Sequence, residues 1–201
     1  DLFGKFLPEL PEHFEHLCVT VKVDLYREAG PVELINQVSA RVPKEWAYYC
    51  FKSEYLFYPF MESRLVVEML AFHAEERRDA MLTYVIDLYA KDLEKFPNAV
   101  ALDQAYFDRA GHYALARWDS NTNSNKDRQL NIFGGLRWRF EEYLPYEKRR
   151  IDRISIFRAQ PENILKEDFT FTEEEYNTYS CPWHHNLTAA IVSCRTAKAL
   201  R

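Results

Sequence analysis

Three consecutive polar residues have the side-chain types of a ligand site. Lys52, Ser53 and Glu54 lie within the aromatic stretch Glu45–Arg64, which favours a buried β-strand. Charged groups among buried aromatic rings are costly unless they bind a partner. Ligands of α/β proteins bind beyond the carboxyl ends of strands. The sequence therefore predicts the floor of a ligand site at these three residues; the alternative is an edge strand with a Lys–Glu ion pair.

Aspartates and tyrosines form a second group of candidates. Asp87 interrupts an apolar stretch two residues before Tyr89, and Asp103 and Asp108 flank an aromatic pair that includes Tyr106. Carboxylates beside aromatic rings are suited to hold sugar hydroxyls, with a ring against the face of the sugar. The pattern predicts residues that bind a sugar; the alternative is a set of acids that only cap a loop.

Two arginines follow a pair of glycines. Gly134 and Gly135 allow close backbone approach, and Arg137 and Arg139 would face the same side of a strand. Guanidinium groups bind phosphate and carboxylate through two parallel hydrogen bonds. The pattern predicts an anion-binding strand; the alternative is that both arginines pair with nearby acids.

A late segment holds Trp183, His184 and His185. Adjacent histidines on an extended segment point in opposite directions, so at most one of them could bind a given metal ion or a pyrophosphate. The alternative is a buried histidine that donates to the backbone. We take Trp183 as a ligand-binding candidate and His184 as a metal-ligand candidate.

The periodicity of apolar residues predicts the elements that position these groups. A strand over His16–Tyr26, a helix over Pro31–Pro43 and a second strand in Glu45–Arg64 form one predicted βαβ unit with a parallel strand pair. His73 is predicted to be a packed core histidine. Further predicted elements are a helix over Glu62–Glu76, a strand over Ala80–Tyr89, a polar surface loop over Asp119–Arg128, a strand over Arg149–Arg158, a helix start capped by Thr172 in Asp168–Glu175, and a helix over Leu187–Leu200.

Composition narrows the class of protein. The 201 residues are 47% hydrophobic, which predicts a single domain over residues 1–201 with a substantial core. The net charge of −5 without a basic block disfavours nucleic acid as a partner. No apolar stretch is long enough to cross a membrane, so the sequence predicts no membrane span; peripheral membrane contact stays open. The four cysteines lack metal-type spacing, which favours free thiols in a reducing cytoplasm.

The order of the motifs resembles a bacterial branch of family 2-like glycosyltransferases with the GT-A fold. The resemblance runs from about Trp46 to His185. The segments that carry it are Val85–Tyr89, Tyr106–Asp108, Gly134–Phe140, Ile151–Arg158 and the late histidine. It implies an α/β fold with a mixed sheet flanked by helices. The first nucleotide-binding segment of that fold is not evident before Leu17; we expect it either to precede Asp1, which leaves the fold incomplete at the N-terminus, or to be reshaped.

The resemblance implies transfer of a sugar from a nucleotide-sugar donor to a glycan or glycoconjugate acceptor, in surface polysaccharide assembly. A carboxylate takes the acceptor proton and cationic groups stabilise the departing diphosphate. Carried onto this sequence, Glu54 or Asp108 is the base. The donor-binding residues are then Lys52, Ser53, Arg137 and Arg139, and the acceptor-binding residues are Asp87, Tyr89, Tyr106 and Trp183.

The sequence departs from the family at its metal site. The family's two metal-binding aspartates fall on Phe51 and Ser53, so that only Glu54 keeps a carboxylate for Mn²⁺ or Mg²⁺. One alternative function is a catalytically degenerate relative that binds a glycan or a protein. Another is a metal hydrolase that uses His184 with Asp87 and Asp108.

Overall fold

Five of the described strands form the main sheet. The computed structural model describes residues 30–51, 53–92, 94–97, 99, 101, 104–179 and 189–199. Its helices are α1 (Pro31–Ser39), α2 (Val66–Glu75), α3 (Gly135–Arg139), α4 (Tyr146–Arg149), α5 (Arg195–Ala199) and a 3₁₀ helix (Glu174–Asn177). Its strands are β1 (Trp46–Tyr48), β2 (Glu54–Phe57), β3 (Ala80–Asp87), β4 (Tyr113–Asp119), β5 (Ser124–Phe133), β6 (Asp152–Arg158) and β7 (Ala189–Ser193). The main sheet has the order β1-β6-β3-β7-β2, and β4 pairs with β5 separately.

Strand directions place three carboxyl ends together. β6 lies between β1 and β3 and is antiparallel to both, so β1 and β3 run the same way. β3 is parallel to β7, and β2 is antiparallel to β7. The carboxyl ends of β1, β3 and β7 therefore meet at one edge of the sheet, beside the amino end of β2. The mixed sheet with helices confirms the predicted α/β class.

The core is built around β6, in which every residue except the last is buried. The ring of Phe157 lies 4.7 Å from that of Phe171, in a cluster that includes Val32 of α1. The Asn36 side chain donates to the Leu165 carbonyl at 2.9 Å and accepts from the Leu165 N–H at 2.8 Å. Apolar burial and these two hydrogen bonds fix α1 to the sheet.

Several predicted elements are confirmed. α1 begins at Pro31, whose fixed φ suits the first turn of a helix. α2, β3 and β6 lie within the segments predicted as helix, strand and strand. His73 of α2 is 2% exposed, as predicted for a packed core histidine.

The stretch Glu45–Arg64 is two strands, so the prediction of one strand was wrong. Ser53 has a φ of 65°, and the Glu54 N–H donates to the Phe51 carbonyl at 3.1 Å, which closes a turn between β1 and β2. Left-handed backbone is uncommon for serine. Aromatic residues continue on both sides of the turn, so the sequence pattern does not mark it.

The predicted βαβ unit is not seen in the described part of the chain. Its first strand, His16–Tyr26, lies outside the described residues. The described neighbour of β1 is β6, which is antiparallel to it. β1 therefore joins the sheet through a strand that follows it by more than a hundred residues, a pairing that local patterns do not encode.

The polar segment Asp119–Arg128 is the tip of a hairpin, not a surface loop. β4 and β5 are antiparallel and are joined by a short turn. Polar residues suit these strands because most of their side chains at the tip face solvent. Lys126 and Arg128 pair with Glu174 and Glu175 of the 3₁₀ helix at 2.6 and 3.0 Å, which holds the tip against the body of the protein.

The C-terminal segment Leu187–Leu200 was wrongly predicted as one helix. Residues 189–193 form β7, since pairing with both β3 and β2 buries Ile191 completely. The Ser193 hydroxyl accepts from the Arg195 N–H at 3.2 Å, where α5 begins. A continuous apolar run fits a buried strand as well as a helix, so periodicity alone does not separate them.

The acidic segment Asp168–Glu175 yields only a short 3₁₀ helix, and Thr172 does not cap it. The Thr172 hydroxyl accepts instead from the Ile164 N–H at 2.9 Å and donates to Asn163 at 3.1 Å. No helix in the described ranges has both the length and the apolar character that crossing a membrane requires.

Candidate functional site

Glu54, Ser193 and Asp87 lie in one row across three strands. Glu54 of β2 pairs with Ser193 of β7, and Ser193 pairs with Asp87 of β3. Directly paired residues point to the same face, and two strand spacings separate the outer pair by about 10 Å. All three are buried. Two carboxylates from distant parts of the sequence thus flank a buried serine at the edge where β3 and β7 end.

Arg153 of β6 holds the Glu54 carboxylate. Its two terminal nitrogens lie 3.2 and 2.7 Å from the two carboxylate oxygens, and both side chains are almost fully buried. Glu54 Oε2 also accepts from the Phe51 N–H at 2.9 Å. Both carboxylate oxygens are therefore engaged by partners within the protein.

Aromatic rings and hydroxyl groups enclose this ion pair. The Arg153 guanidinium lies 5.3 Å from the Tyr49 ring centroid and 5.2 Å from that of Phe51, and its Nε donates to Ser155 at 2.7 Å. Burial raises the pKa of the Tyr49 hydroxyl well above its ordinary value, and the charge of Arg153 offsets part of that rise. Arg195 stacks on Phe51 at 4.7 Å. Cation–π contacts of this kind stabilise a desolvated guanidinium.

Arg137 binds Asp87, the carboxylate at the other end of the row. Its Nε lies 2.7 Å from Asp87 Oδ2, and a terminal nitrogen donates to the Arg150 carbonyl. Arg137 and Arg139 lie on helix α3, so the prediction of an anion-binding strand was wrong. Helical residues two apart point to different sides, and each arginine meets a different carboxylate. The alternative of pairing with nearby acids holds for both.

Asp108 is anchored through one oxygen. Tyr89 donates its hydroxyl to Asp108 Oδ1 at 2.5 Å, and Arg139 donates to the same oxygen. Burial, reinforced by the bond to Asp108, raises the pKa of the Tyr89 hydroxyl. Tyr106 exchanges two backbone hydrogen bonds with Tyr89, at 3.0 and 2.9 Å, which ties the Asp108 loop to the end of β3.

Two glycines let this loop and α3 interlock. A Cβ atom on Gly111 would lie 2.1 Å from the ring of Trp138, and one on Gly134 would lie 2.2 Å from that of His112. Each segment thus supplies one glycine and one ring to the other. The glycine pair noted in the sequence serves close approach, as predicted, but the approaching group is a side chain of this protein.

A small cleft opens between these segments. Its polar lining is Asp87, Asp108 and His112, and its backbone floor is Gly134 and Gly135. The Asp108 side chain is 7% exposed, and its Oδ2 has no hydrogen-bond partner among the described residues. A buried carboxylate oxygen without a donor costs about 1–3 kcal/mol or more, so we expect a bound water molecule or ligand to satisfy it.

The structure brings most predicted site residues to one side of the sheet. Around the cleft lie Asp87, Tyr89, Tyr106, Asp108, Arg137 and Arg139. Ser53 and Glu54 lie across Ser193, beyond β7. Lys52, Asp103, Trp183 and His184 fall outside the described residues. Sequence reasoning did not single out His112, which lines the cleft, and it did not assign Arg153 to Glu54.

The described residues at Glu54 do not fit a divalent cation. Phe51 offers no donor atom, Ser53 offers only a hydroxyl, and both Glu54 oxygens are bound to Arg153. In the described part of the chain no three His, Cys, Asp or Glu side chains are gathered as a metal site.

Comparison with known proteins identifies no relative of this chain. No family model, curated protein or solved structure matches this chain.

Proposed function

We propose that this protein is a glycosyltransferase-like domain of the GT-A type that binds a nucleotide-sugar and a glycan acceptor at the carboxyl edge of its main sheet. The observation that supports this proposal is the row Glu54–Ser193–Asp87, which brings Glu54 and Asp87, one from each of two predicted groups, onto one face of the sheet. Ligands of open α/β sheets bind at this edge. The parallel direction of β1 and β3 supports the same assignment.

Asp108 is the better candidate for the base. Both oxygens of Glu54 are engaged by Arg153, whereas Asp108 keeps Oδ2 without a protein donor in the described residues. In the proposed reaction the acceptor oxygen forms a bond to the anomeric carbon, and the bond from that carbon to the diphosphate oxygen breaks. The diphosphate leaves with the electron pair, and Asp108 accepts the hydroxyl proton.

Arg139 supplies fixed positive charge near the departing diphosphate. Arg139 has a half-exposed side chain, so its guanidinium can meet a ligand while it remains bonded to Asp108. Arg137 is more deeply placed and holds Asp87. In this assignment Arg139 contacts the donor, and Arg137 keeps the end of β3 and α3 in position.

Calorimetric titration with UDP- and GDP-sugars, with and without Mn²⁺, tests the donor site. We expect binding of at least one nucleotide-sugar and a weakening of about tenfold or more in Arg139→Gln, from the loss of a charge-assisted hydrogen bond. Arg128→Gln, on the hairpin tip, is the matched control and should bind normally. The proposal fails if no nucleotide-sugar binds under either condition.

A second candidate is a catalytically degenerate relative that binds a glycan or a protein. It is favoured by one observation: Glu54, Asp87 and Asp108 each already bind an arginine of the protein. This candidate predicts binding of glycan without binding of nucleotide-sugar. The same titrations, repeated with oligosaccharides, separate the two functions.

A further inference from the structure

Strands β2, β7 and β3 present an apolar surface on the face of the sheet opposite Glu54 and Asp87. The strand register gives it as two cross-strand rows, Tyr55–Val192–Ile86 and Phe57–Ala190–Tyr84, which we call the outer face. None of its six residues is buried, whereas the alternate residues of β3 and β7, on the opposite face, are. Strands with apolar residues on both faces are typical of sheets that are covered on both sides.

Described elements cover this side of the sheet only near β6. Val32 of α1 and Ile154 of β6 belong to one apolar cluster, and Leu82 of β3 packs against it. Leu82 and Tyr84 are two positions apart on β3, so they point to the same side of the sheet. The apolar clusters of the described residues include none of the six outer-face residues. The cover therefore ends at β3.

The chain enters the described fold on this same side of the sheet. Residues 1–29 precede Gly30, and α1 follows at Pro31 and packs on the cluster that holds Leu82. β6 and β2 are three strands apart in the sheet order, which is about 14 Å, and four or five extended residues span that distance. Residues 1–29 are therefore long enough to cross the outer face as far as β2.

The sequence of residues 16–26 has an apolar side that suits this surface. Five apolar residues alternate with more polar ones in HLCVTVKVDLY: Leu17, Val19, Val21, Val23 and Leu25. In an extended segment, this alternation puts all five on one side and Thr20, Lys22 and Asp24 on the other. Such a segment can contact the outer face with one side and water with the other.

A second copy of the chain fits the outer face less well. Tyr55 and Phe57, which are 67% and 47% exposed, are its most accessible residues, and its open area is on the order of a few hundred Å². A stable interface between separate chains buries about 800 Å² on each partner. A segment of the same chain needs less area, because the tether gives it a high effective concentration.

We infer that residues 1–29 cover the outer face, with the apolar side of residues 16–26 against its two rows. Burial of these apolar groups is the driving force, since both surfaces are otherwise exposed to water. The inference concerns packing of the chain on itself and does not depend on the proposed sugar chemistry.

Photo-crosslinking of the full chain tests this placement. p-Benzoylphenylalanine replaces Phe57, whose exposed side chain leaves room for the larger group, and mass spectrometry identifies the residues that it captures. We expect cross-links within one chain to residues 16–26. The same probe in place of Trp118, an exposed aromatic residue of β4, is the control and should capture none of residues 1–29.

Two double variants test whether the apolar side makes the contact. Val19→Asp with Val21→Asp should lower the yield of the cross-link from position 57 by about fivefold or more, because charges are costly to bury against apolar rows. Cys18→Asp with Thr20→Asp adds the same charge on the other side of the alternation and should keep the yield.

Equal yields in the two double variants overturn the inference. Cross-links from position 57 to residues 180–188, cross-links that join two copies of the chain, or the absence of any cross-link also overturn it. If the variant with Val19→Asp and Val21→Asp does not fold, the residues captured by the probe in the otherwise unchanged chain decide.

Discussion

Glu54 and Arg153 form a doubly hydrogen-bonded ion pair that is sealed from solvent, although 99 positions separate them in the sequence. The pair connects the start of β2 to the start of β6. Two aromatic rings cover the guanidinium, and a backbone N–H completes the shell of the carboxylate. Contacts inside the protein have replaced most of the water around this pair, so each buried charge is stabilised by the other.

Glu54→Ala should therefore destabilise the fold strongly. The substitution leaves the Arg153 charge buried without its counter-ion, which costs about 3–5 kcal/mol. Urea unfolding followed by circular dichroism measures the effect as a lower transition midpoint. Glu68→Ala on α2, which removes an exposed ion pair with Arg64 and a hydrogen bond from the Leu65 N–H, is the control and should shift the midpoint much less. Similar shifts in the two variants would contradict the buried-pair description.

Gly111→Ala should disrupt the packing between the Asp108 loop and α3. Gly111 has a φ of 76°, and a Cβ there would lie 2.1 Å from the Trp138 ring. Backbone strain and steric overlap together should cost about 2 kcal/mol or more. Unfolding monitored by tryptophan fluorescence checks this, and Gly30→Ala should change stability by less than about 1 kcal/mol. A Gly111→Ala variant as stable as wild type would show that Trp138 repacks freely.

The sequence predicted which polar residues lie near one another better than it predicted their partners. Patterns in short segments singled out Asp87, Asp108 and Arg137, which do lie close together, since polar groups in apolar surroundings need partners. The partners themselves come from remote strands: Arg153 lies on β6, 99 positions after Glu54 on β2. Local periodicity also failed for β7, which is a strand because β2 and β3 flank it. Long-range pairing of this kind leaves no signal in a short window of sequence.

Glu174 should make the stability of the fold depend on pH in the acid range. Burial opposes its ionisation, but hydrogen bonds from Gln129 and Lys126 outweigh that effect and lower the pKa of its carboxyl group. A lowered pKa in the folded state gives stability that is present above the unfolded value of about 4.3 and is lost as pH falls below it. We expect wild type to lose more stability than Glu174→Gln between pH 6 and pH 3.

Urea unfolding at both pH values measures this difference. The exposed Glu162, which also carries a carboxylate, provides the control. Glu162→Gln should keep the pH dependence of wild type. If Glu174→Gln keeps it as well, the contacts of the hairpin tip contribute nothing to acid sensitivity.

Asp152 couples the hairpin to the main sheet through two arginines. Its carboxylate, 2% exposed, accepts from the Ile132 N–H at 2.7 Å, from Arg117 of β4 at 3.3 Å and from Arg150. Burial, with the nearby Arg150 charge, lowers the pKa of the Arg117 guanidinium. Asp152→Asn should therefore cost about 3–5 kcal/mol, because it leaves two neighbouring buried cations with no shared anion.

The double variant Asp152→Asn, Arg117→Met distinguishes charge from packing. Removing one of the two cations relieves their repulsion, so the double variant should be more stable than Asp152→Asn alone, even though Arg117→Met by itself destabilises the protein. A double-mutant cycle from urea unfolding gives the coupling free energy, which we expect to exceed about 1 kcal/mol for residues in direct contact. Additive effects would mean that the hairpin is held by packing of β5 against β6 and not by the shared carboxylate. Arg128→Met, which removes a cation at the hairpin tip without touching Asp152, should give no rescue.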